Sequence, residues 1–299
     1  MATEVERKIK RILHILNPKA GKGRASKIKK TLDDGSFYMS TSADDATEFM
    51  INACREDPDT CFTVYGGDGT VFRAVNALMK SGYNDRASLK IVPVGSGNDF
   101  VKSFEGKSGH MGVDVMKFND KYAVNVINMG FDCSVVRRAS KIKKNPFVSG
   151  KFSYILGVIG ELMHKTAIDI KLTITYEDDT TEIIDQKALL IAVANGMWYG
   201  GAFKASPASK TDDGLLDVIM INDVSTKKFL SAVGAYKKGN HIDVEKLEVN
   251  EKYKDILMYK RCKAIKIEGC QSVCADGEIF EENEVEISVL PKALNYIKD

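Results

Sequence analysis

Five residues, Gly66-Gly67-Asp68-Gly69-Thr70, constrain the fold of this chain more than any other stretch. An apolar run at 61–65, Cys-Phe-Thr-Val-Tyr, precedes them and reads as a buried strand. A helical pattern at 71–80 follows, with Val71, Val75, Leu78 and Met79 on one face. Glycine lets the backbone come close to a bulky anion, and a helix N-terminus offers N–H groups to phosphate. The aspartate is harder to place, because a carboxylate repels phosphate unless a cation lies between them. The turn therefore points to a nucleotide with Mg2+. A tight turn needing positive φ would explain one or two glycines, but not three around an acid.

The rest of the first 118 residues repeats this alternation. Strand patterns stand at 11–16 and 91–94, with a weaker one at 36–39. Helical patterns stand at 25–31 and at 45–56, the latter with Asp44 as its expected N-cap. Strand–helix alternation predicts an α/β domain with a mostly parallel sheet, whose ligands sit beyond the carboxyl ends of the strands. The loops at Asn17, Gly66 and Gly95 each follow a strand, so they can converge on one crevice. Beyond 118 the texture changes. Strand patterns at 122–127, 168–176, 187–194, 216–221, 264–268 and 285–290 predict a second domain rich in antiparallel sheet, with helices at 152–164 and 227–238.

Composition excludes several classes. A chain of 299 residues is comfortable for two domains, and a net charge of +2 does not mark a nucleic-acid binder. Six cysteines without a CxxC pair argue against a zinc site or disulfide framework. The N-terminal residues lack a secretory h-region, and the longest uncharged stretch, 188–203, is too short and too broken by glycine to span a bilayer. The expected location is cytoplasmic. Arg137, Arg138, Lys141, Lys143 and Lys144, followed by Phe147 and Phe152, read either as a solvated loop or as a surface for an anionic membrane. No nucleic-acid module accompanies them, so nucleic acid is not expected as a partner.

Two further loops carry chemistry. Asn17-Pro18-Lys19-Ala20-Gly21-Lys22-Gly23-Arg24 places two glycines and three cations between a strand and a helix, without the Walker A spacing. Gly95-Ser96-Gly97-Asn98-Asp99-Phe100 is a second glycine turn, in which Asp99 can also serve as a helix cap. Asp276-Gly277 is a good two-residue hairpin turn, which puts Glu278 on its flank.

Taken in order, these motifs resemble the diacylglycerol kinase catalytic family, in its soluble bacterial lipid kinase branch. Asn195-Gly196, Tyr199-Gly200-Gly201, Pro207-Ala208, Asp213-Gly214-Leu215-Leu216-Asp217 and Asp276-Gly277-Glu278 continue the match through the second half. The resemblance implies a nucleotide-binding α/β domain over 1–118, a β-sandwich domain over 119–291, a return of 292–299 to the first domain, and an active site between the domains. It implies ATP contacts from Asn17, Pro18, Lys19, Ala20, Gly21, Ser40, Gly66, Gly67, Asp68, Gly69, Thr70, Val71, Phe72 and Ser96. Ser40 and Ser96 stand where the family usually has Thr, and keep the hydroxyl. Glu278 matches the general base that takes the proton of a lipid hydroxyl, and Asp68 and Asp99 the carboxylates that hold catalytic Mg2+. A structural Mg2+ is implied at Asp213 with the carbonyls of Lys210 and Leu215. A homodimer is common in the family.

The expected activity is γ-phosphoryl transfer from ATP to a lipid hydroxyl at the membrane surface, with diacylglycerol the first choice. Monoacylglycerol, phosphatidylglycerol and sphingoid bases stay open. The alternatives are a soluble-substrate kinase resembling NAD kinases, which share the Gly-Gly-Asp-Gly turn, and a nucleotide- or lipid-binding regulator without turnover.

Overall fold

The structure, a computed structural model, describes residues 9, 11–17, 37–131, 133–137 and 167–299. Pro18, Lys19, Ala20 and Gly21, the helices expected at 25–31 and 152–164, and all of the basic stretch beyond Arg137 lie outside these residues. The chain forms two compact units: Met1–Gly95, Gly106–Val113 and Ala293–Asp299 make the first, Ser96–Glu105 and Asp114–Lys292 the second. Residues 96–105 thus belong to the second unit, although they precede the change of texture at 118. Their hydrogen bonds explain the assignment, because they go to the 197–201 loop.

The first unit is built on β1 (Arg11–Leu16), β2 (Phe37–Met39), β3 (Thr60–Gly66) and β4 (Ser88–Pro93), all parallel, in the order β2-β1-β3-β4. Every residue of β3 is buried, as expected for a central parallel strand covered on both faces. Among the described residues two helices accompany the sheet, α1 (Ala43–Glu56) and α2 (Asp68–Ser81). α1 buries Met50, Ala53 and Cys54, spaced three and four apart along one face. Its cap is Ser42 rather than Asp44: Ser42 Oγ accepts from Asp45 N at 3.1 Å. Asp45 in turn accepts from Thr41 N and from the Tyr38 hydroxyl, so the acids of the first turn fasten the entry to the helix. α2 ends at Gly82, whose φ of 76° supplies the left-handed C-cap.

The second unit begins with the short helix α3 (Asp99–Lys102). Its strands are mainly antiparallel. The sequence reading missed β5 (Gly109–Phe118), which crosses from one unit to the other and pairs with β6 (Lys121–Ala123). The run expected at 122–127 divides into β6 and β7 (Val126–Gly130). β8 (Ile168–Thr175) pairs with the first half of β9 (Thr181–Ala194). The second half of β9 pairs with β7 and with β10 (Leu216–Asn222). Burial along β9 changes at the same place, from alternating to continuous, so one long strand serves a half-exposed ladder and then a fully covered one.

α4 (Thr226–Lys238) lies on the core through Phe229, Ala232 and Tyr236. β11 (Ile242–Asp243) and β12 (Glu248–Val249) form a small hairpin. β13 (Leu257–Cys262) extends the β10 edge, and β14 (Ala264–Glu268) joins β8. β15 (Val273–Ala275) and β16 (Glu278–Phe280) are a hairpin laid beside β7. The last strand, β17 (Glu284–Lys298), pairs antiparallel with β14 over 284–288. Its residues 295–297 then run parallel to β4 in the first unit. Among the described residues, no helix is long and apolar enough to cross a membrane.

Candidate nucleotide and phosphotransfer sites

The glycine turn of the first unit sits where strand β3 hands over to α2. Gly67 is the N-cap and offers no side-chain cap, while Thr70 N and Val71 N both bond back to Gly67 O at 2.8 and 3.1 Å. Gly66 is required by packing. A Cβ there would lie 2.3 Å from Thr70 Cβ, so the first helical turn closes directly over the strand end. Val94 N donates to Gly66 O at 3.0 Å and sets the end of β4 beside that of β3. Asp68 is the first residue of α2, where the helix dipole favours a negative charge.

Beside this turn an open cavity of about 370 Å3 is lined by Asn17, Ser40, Thr47, Thr70 and Arg73 over an apolar floor that includes Ile15 and Val64. It brings together three of the residues expected at the nucleotide: Asn17 after β1, Ser40 after β2, and Thr70 in α2. Ser40 is buried, with its N–H and hydroxyl both bonded to Leu16 O, at 3.0 and 3.4 Å. Val71 and Phe72 are also buried, with side chains packed in the core, so any ligand contact from them would come from the backbone. Arg73 was missed by the sequence reading. It lies one residue beyond the motif, and its cavity position follows from the helix turn rather than from a sequence signal.

The second unit holds the other expected residues in one hydrogen-bonded network. Asp276 and Gly277 make the β15–β16 turn with φ of 47° and 90°, the two left-handed positions of a tight hairpin. The Asp276 carboxylate is buried and accepts three backbone N–H groups: Val124 at 2.9 Å, Asn125 at 3.1 Å and Val126 at 3.0 Å. Its own N–H bonds to Val126 O at 3.0 Å. The turn is therefore locked to the start of β7, and Glu278, opposite Ala275 in the hairpin, is fixed with it, half-buried. From the sequence Asp276 reads as a turn former and part of the family motif; its clamp spans 150 residues and has no local signature.

From Asn125 the network continues. Its carbonyl accepts Asn195 N and Gly196 N, each at 2.9 Å, and its Nδ2 donates to Trp198 O at 2.8 Å. A Cβ on Gly196 would meet Asn125 Oδ1 at 2.1 Å, so this contact demands glycine. Met197 N donates to Ser103 Oγ at 3.1 Å, which ties the 195–201 segment to the end of α3. Asp99, also buried, uses both carboxylate oxygens: Oδ1 accepts from Lys102 Nζ at 2.5 Å and Oδ2 from Gly201 N at 2.8 Å. Ser96 is exposed.

The residues expected at a structural Mg2+ present a different picture. Asp213 Oδ1 accepts Leu215 N at 3.2 Å and Oδ2 is paired with the Arg261 guanidinium. Lys210 is exposed on the same loop. Arg261 also faces the fully buried Asp217 at 3.4 Å, and Tyr259 donates its hydroxyl to Asp217. Burial pushes the Asp217 carboxyl above its ordinary range and the Tyr259 phenol likewise upward. Among the described residues, no group of three or more His, Cys, Asp or Glu side chains is arranged to hold a metal ion. The carboxylates of Asp99 and Asp213 are thus both engaged by protein partners in this structure.

Asp114, on β5, is a second buried carboxylate clamp. It accepts from Gly214 N and Lys292 N, each at 2.7 Å, and burial raises its pKa despite those bonds.

A glycine turn opening a helix at the end of a parallel sheet, followed by a β-rich unit, makes the chain a two-unit α/β protein. Comparison with known proteins gives the family. Residues 11–129 match the diacylglycerol kinase catalytic domain, and residues 125–298 match the YegS C-terminal NAD kinase beta sandwich-like domain. The chain is 26% identical over 300 residues to a diacylglycerol kinase of Mycobacterium tuberculosis (strain ATCC 25618 / H37Rv), covering 94% of this chain and 90% of the relative. A crystal structure of a diacylglycerol kinase from Bacillus anthracis str. Sterne superposes with a TM-score of 0.68 at 21% identity, covering 98% of both chains, which shows the shared fold. The chain belongs to the diacylglycerol kinase family, in its bacterial lipid kinase branch.

Proposed function

We propose that the protein is an ATP-dependent lipid kinase that transfers the γ-phosphoryl group to the hydroxyl of diacylglycerol, giving phosphatidic acid. The observation that carries this reading is the Asp276 clamp, which spends a buried carboxylate and three backbone donors on fixing the hairpin that bears Glu278. A hairpin needs only Asp-Gly for its turn, so that investment is accounted for by the carboxylate it positions. ATP is assigned to the first unit, with its phosphates at the Gly66–Thr70 turn and the N-terminus of α2. Asp68 is assigned to the same phosphate end.

Glu278 takes the proton from the lipid hydroxyl as that oxygen bonds to the γ-phosphorus. The bond from phosphorus to the β–γ bridging oxygen breaks, ADP leaves, and Glu278 returns its proton to solvent. Mg2+ accompanies ATP in solution. In the second unit Phe131, Leu190, Tyr199, Phe203, Phe229 and Tyr236 pack together as a buried apolar cluster. The mycobacterial relative's name supports diacylglycerol as acceptor. Docking at an anionic membrane surface and homodimer formation belong to the same proposal.

The test is a lipid panel in mixed micelles with MgATP, read by mass spectrometry. Phosphatidic acid from diacylglycerol is the expected product. Phosphorylation of another lipid alone would move the acceptor, and phosphorylation of NAD with no lipid product would overturn the reading.

A further inference from the structure

Trp198 is the only tryptophan of the chain, and two ammonium groups lie over its ring. Lys102 Nζ and Lys204 Nζ are each 5.8 Å from the ring centroid. Their surroundings differ. Lys102 is anchored, donating to Asp99 Oδ1 at 2.5 Å and to Gly201 O at 2.9 Å. Asp99 holds the same loop from the other side, by accepting Gly201 N at 2.8 Å. Lys204 is half-buried and makes no ion pair among the described residues. The cluster therefore gathers two cations and one carboxylate around an aromatic ring, and is short of one negative charge. Two ammonium groups against one ring raise the positive potential there, and an anion bound beside it is stabilised through charge-assisted hydrogen bonds.

We propose that Lys102 and Lys204 form a phosphoryl-oxygen subsite beside Trp198, with Asp99 as the positioning residue that fixes Lys102. The subsite deepens the kinase reading and rests on it for the source of its ligand, a phosphoryl group carried either by ATP or by the phosphorylated lipid. Asp99 then acts through an ammonium group rather than through a metal ion. That role agrees with its two engaged oxygens and with its place, three residues before Lys102 on α3.

The single tryptophan makes the site its own reporter. The protein is titrated with ATP in the absence of divalent ions, and separately with dihexanoyl phosphatidate, following Trp198 emission. A saturable change is expected with at least one probe, and the responding probe identifies the source of the phosphoryl group. Lys204→Ala should weaken that binding by about tenfold or more, and Lys204→Arg should restore most of it. Asp99→Asn should weaken it to the same extent as Lys102→Ala, with no further loss in the double variant, because one anchors the other. Lys204 is not part of any clamp, so its variants keep the test open if the Asp99 or Lys102 variants fail to fold.

A wild-type protein whose Trp198 responds to neither probe overturns the subsite, as do folded lysine variants that bind both probes like wild type. The kinase reading fails separately. Anion binding at Trp198 without phosphorylation of any lipid would sink that reading and keep the subsite. Full turnover in Lys204→Ala with unchanged binding would do the reverse.

Discussion

The turn at Gly66–Thr70 and the turn at Asp276–Glu278 are both short, glycine-bearing and preceded by a strand, yet they are built in opposite ways. The first is made by neighbours: strand, turn and helix are contiguous, and its hydrogen bonds join Gly67 to Thr70 and Val71. The second is held by a carboxylate that reaches backbone 150 residues away. A turn built from its own backbone can bind a ligand wherever the strand and helix place it. A turn held by distant donors is only as well positioned as the fold around it, so its geometry is tied to the stability of its unit.

Substitutions can break that contrast, the largest effect first. Glu278→Gln should lower kcat by roughly 10²- to 10⁴-fold, with ATP affinity unchanged, when steady-state turnover and nucleotide binding are measured on the same preparation. A turnover number within a few-fold of wild type would remove Glu278 as the base. Asp276→Ala leaves three buried N–H groups without their acceptor and should cost about 4 kcal/mol in denaturant unfolding. An unchanged unfolding midpoint would mean that the turn is as self-sufficient as the one at Gly66.

His241 gives the pH arm. Burial pushes its imidazole down from 6.5 to about 4, while its Nε2 faces Ala205 O at 2.9 Å. Between those two pH values the unfolded chain binds a proton that the folded chain does not. Stability of the second unit therefore falls as pH drops from 6.5 toward 4, by about 3 kcal/mol in total. His241→Gln should flatten that part of the profile, and a variant with the wild-type slope would assign the acid sensitivity elsewhere.

Gly66→Ala drives a Cβ into Thr70 and should cost about 2 kcal/mol, with nucleotide binding lost as the first turn of α2 shifts. Calorimetric titration with ATP checks it. The smallest effect belongs to Arg11→Ala, which removes an exposed ion pair with Glu56 and should change unfolding by no more than about 0.5 kcal/mol.

The same contrast explains what was legible in the sequence. β1, β3, α2, β8, β10, α4 and β14 announce themselves through local pattern, and each is found at or within a few residues of its expected place. The family motifs are local too, so Gly66, Asp99 and Glu278 could be named before the fold was known. What escaped was assembled from distant residues. β5 hides because its buried Asp114 interrupts the apolar alternation, and only the Gly214 and Lys292 donors make that burial tolerable. Asp44 looks like the cap of α1 because acids favour that position, whereas the helix is capped two residues earlier, at Ser42, with Asp45 bound to Tyr38. Nothing local foreshadows the pairing of Asp213 with Arg261, which is 48 residues further on and comes alongside because β13 pairs with β10.

β17 carries a consequence for how the molecule is made. Its residues 295–297 lie against Ser88, Leu89 and Lys90, more than two hundred residues earlier in the chain. Asn84 Nδ2 donates to Ala293 O at 2.8 Å, and Asn295 Nδ2 to Ala87 O at 3.1 Å, so side chains as well as backbone close this seam. During synthesis the β4 edge emerges early and waits for its partner through the whole of the second unit. An open strand edge is a template for wrong pairing. The first unit thus begins to emerge before the second and is completed after it.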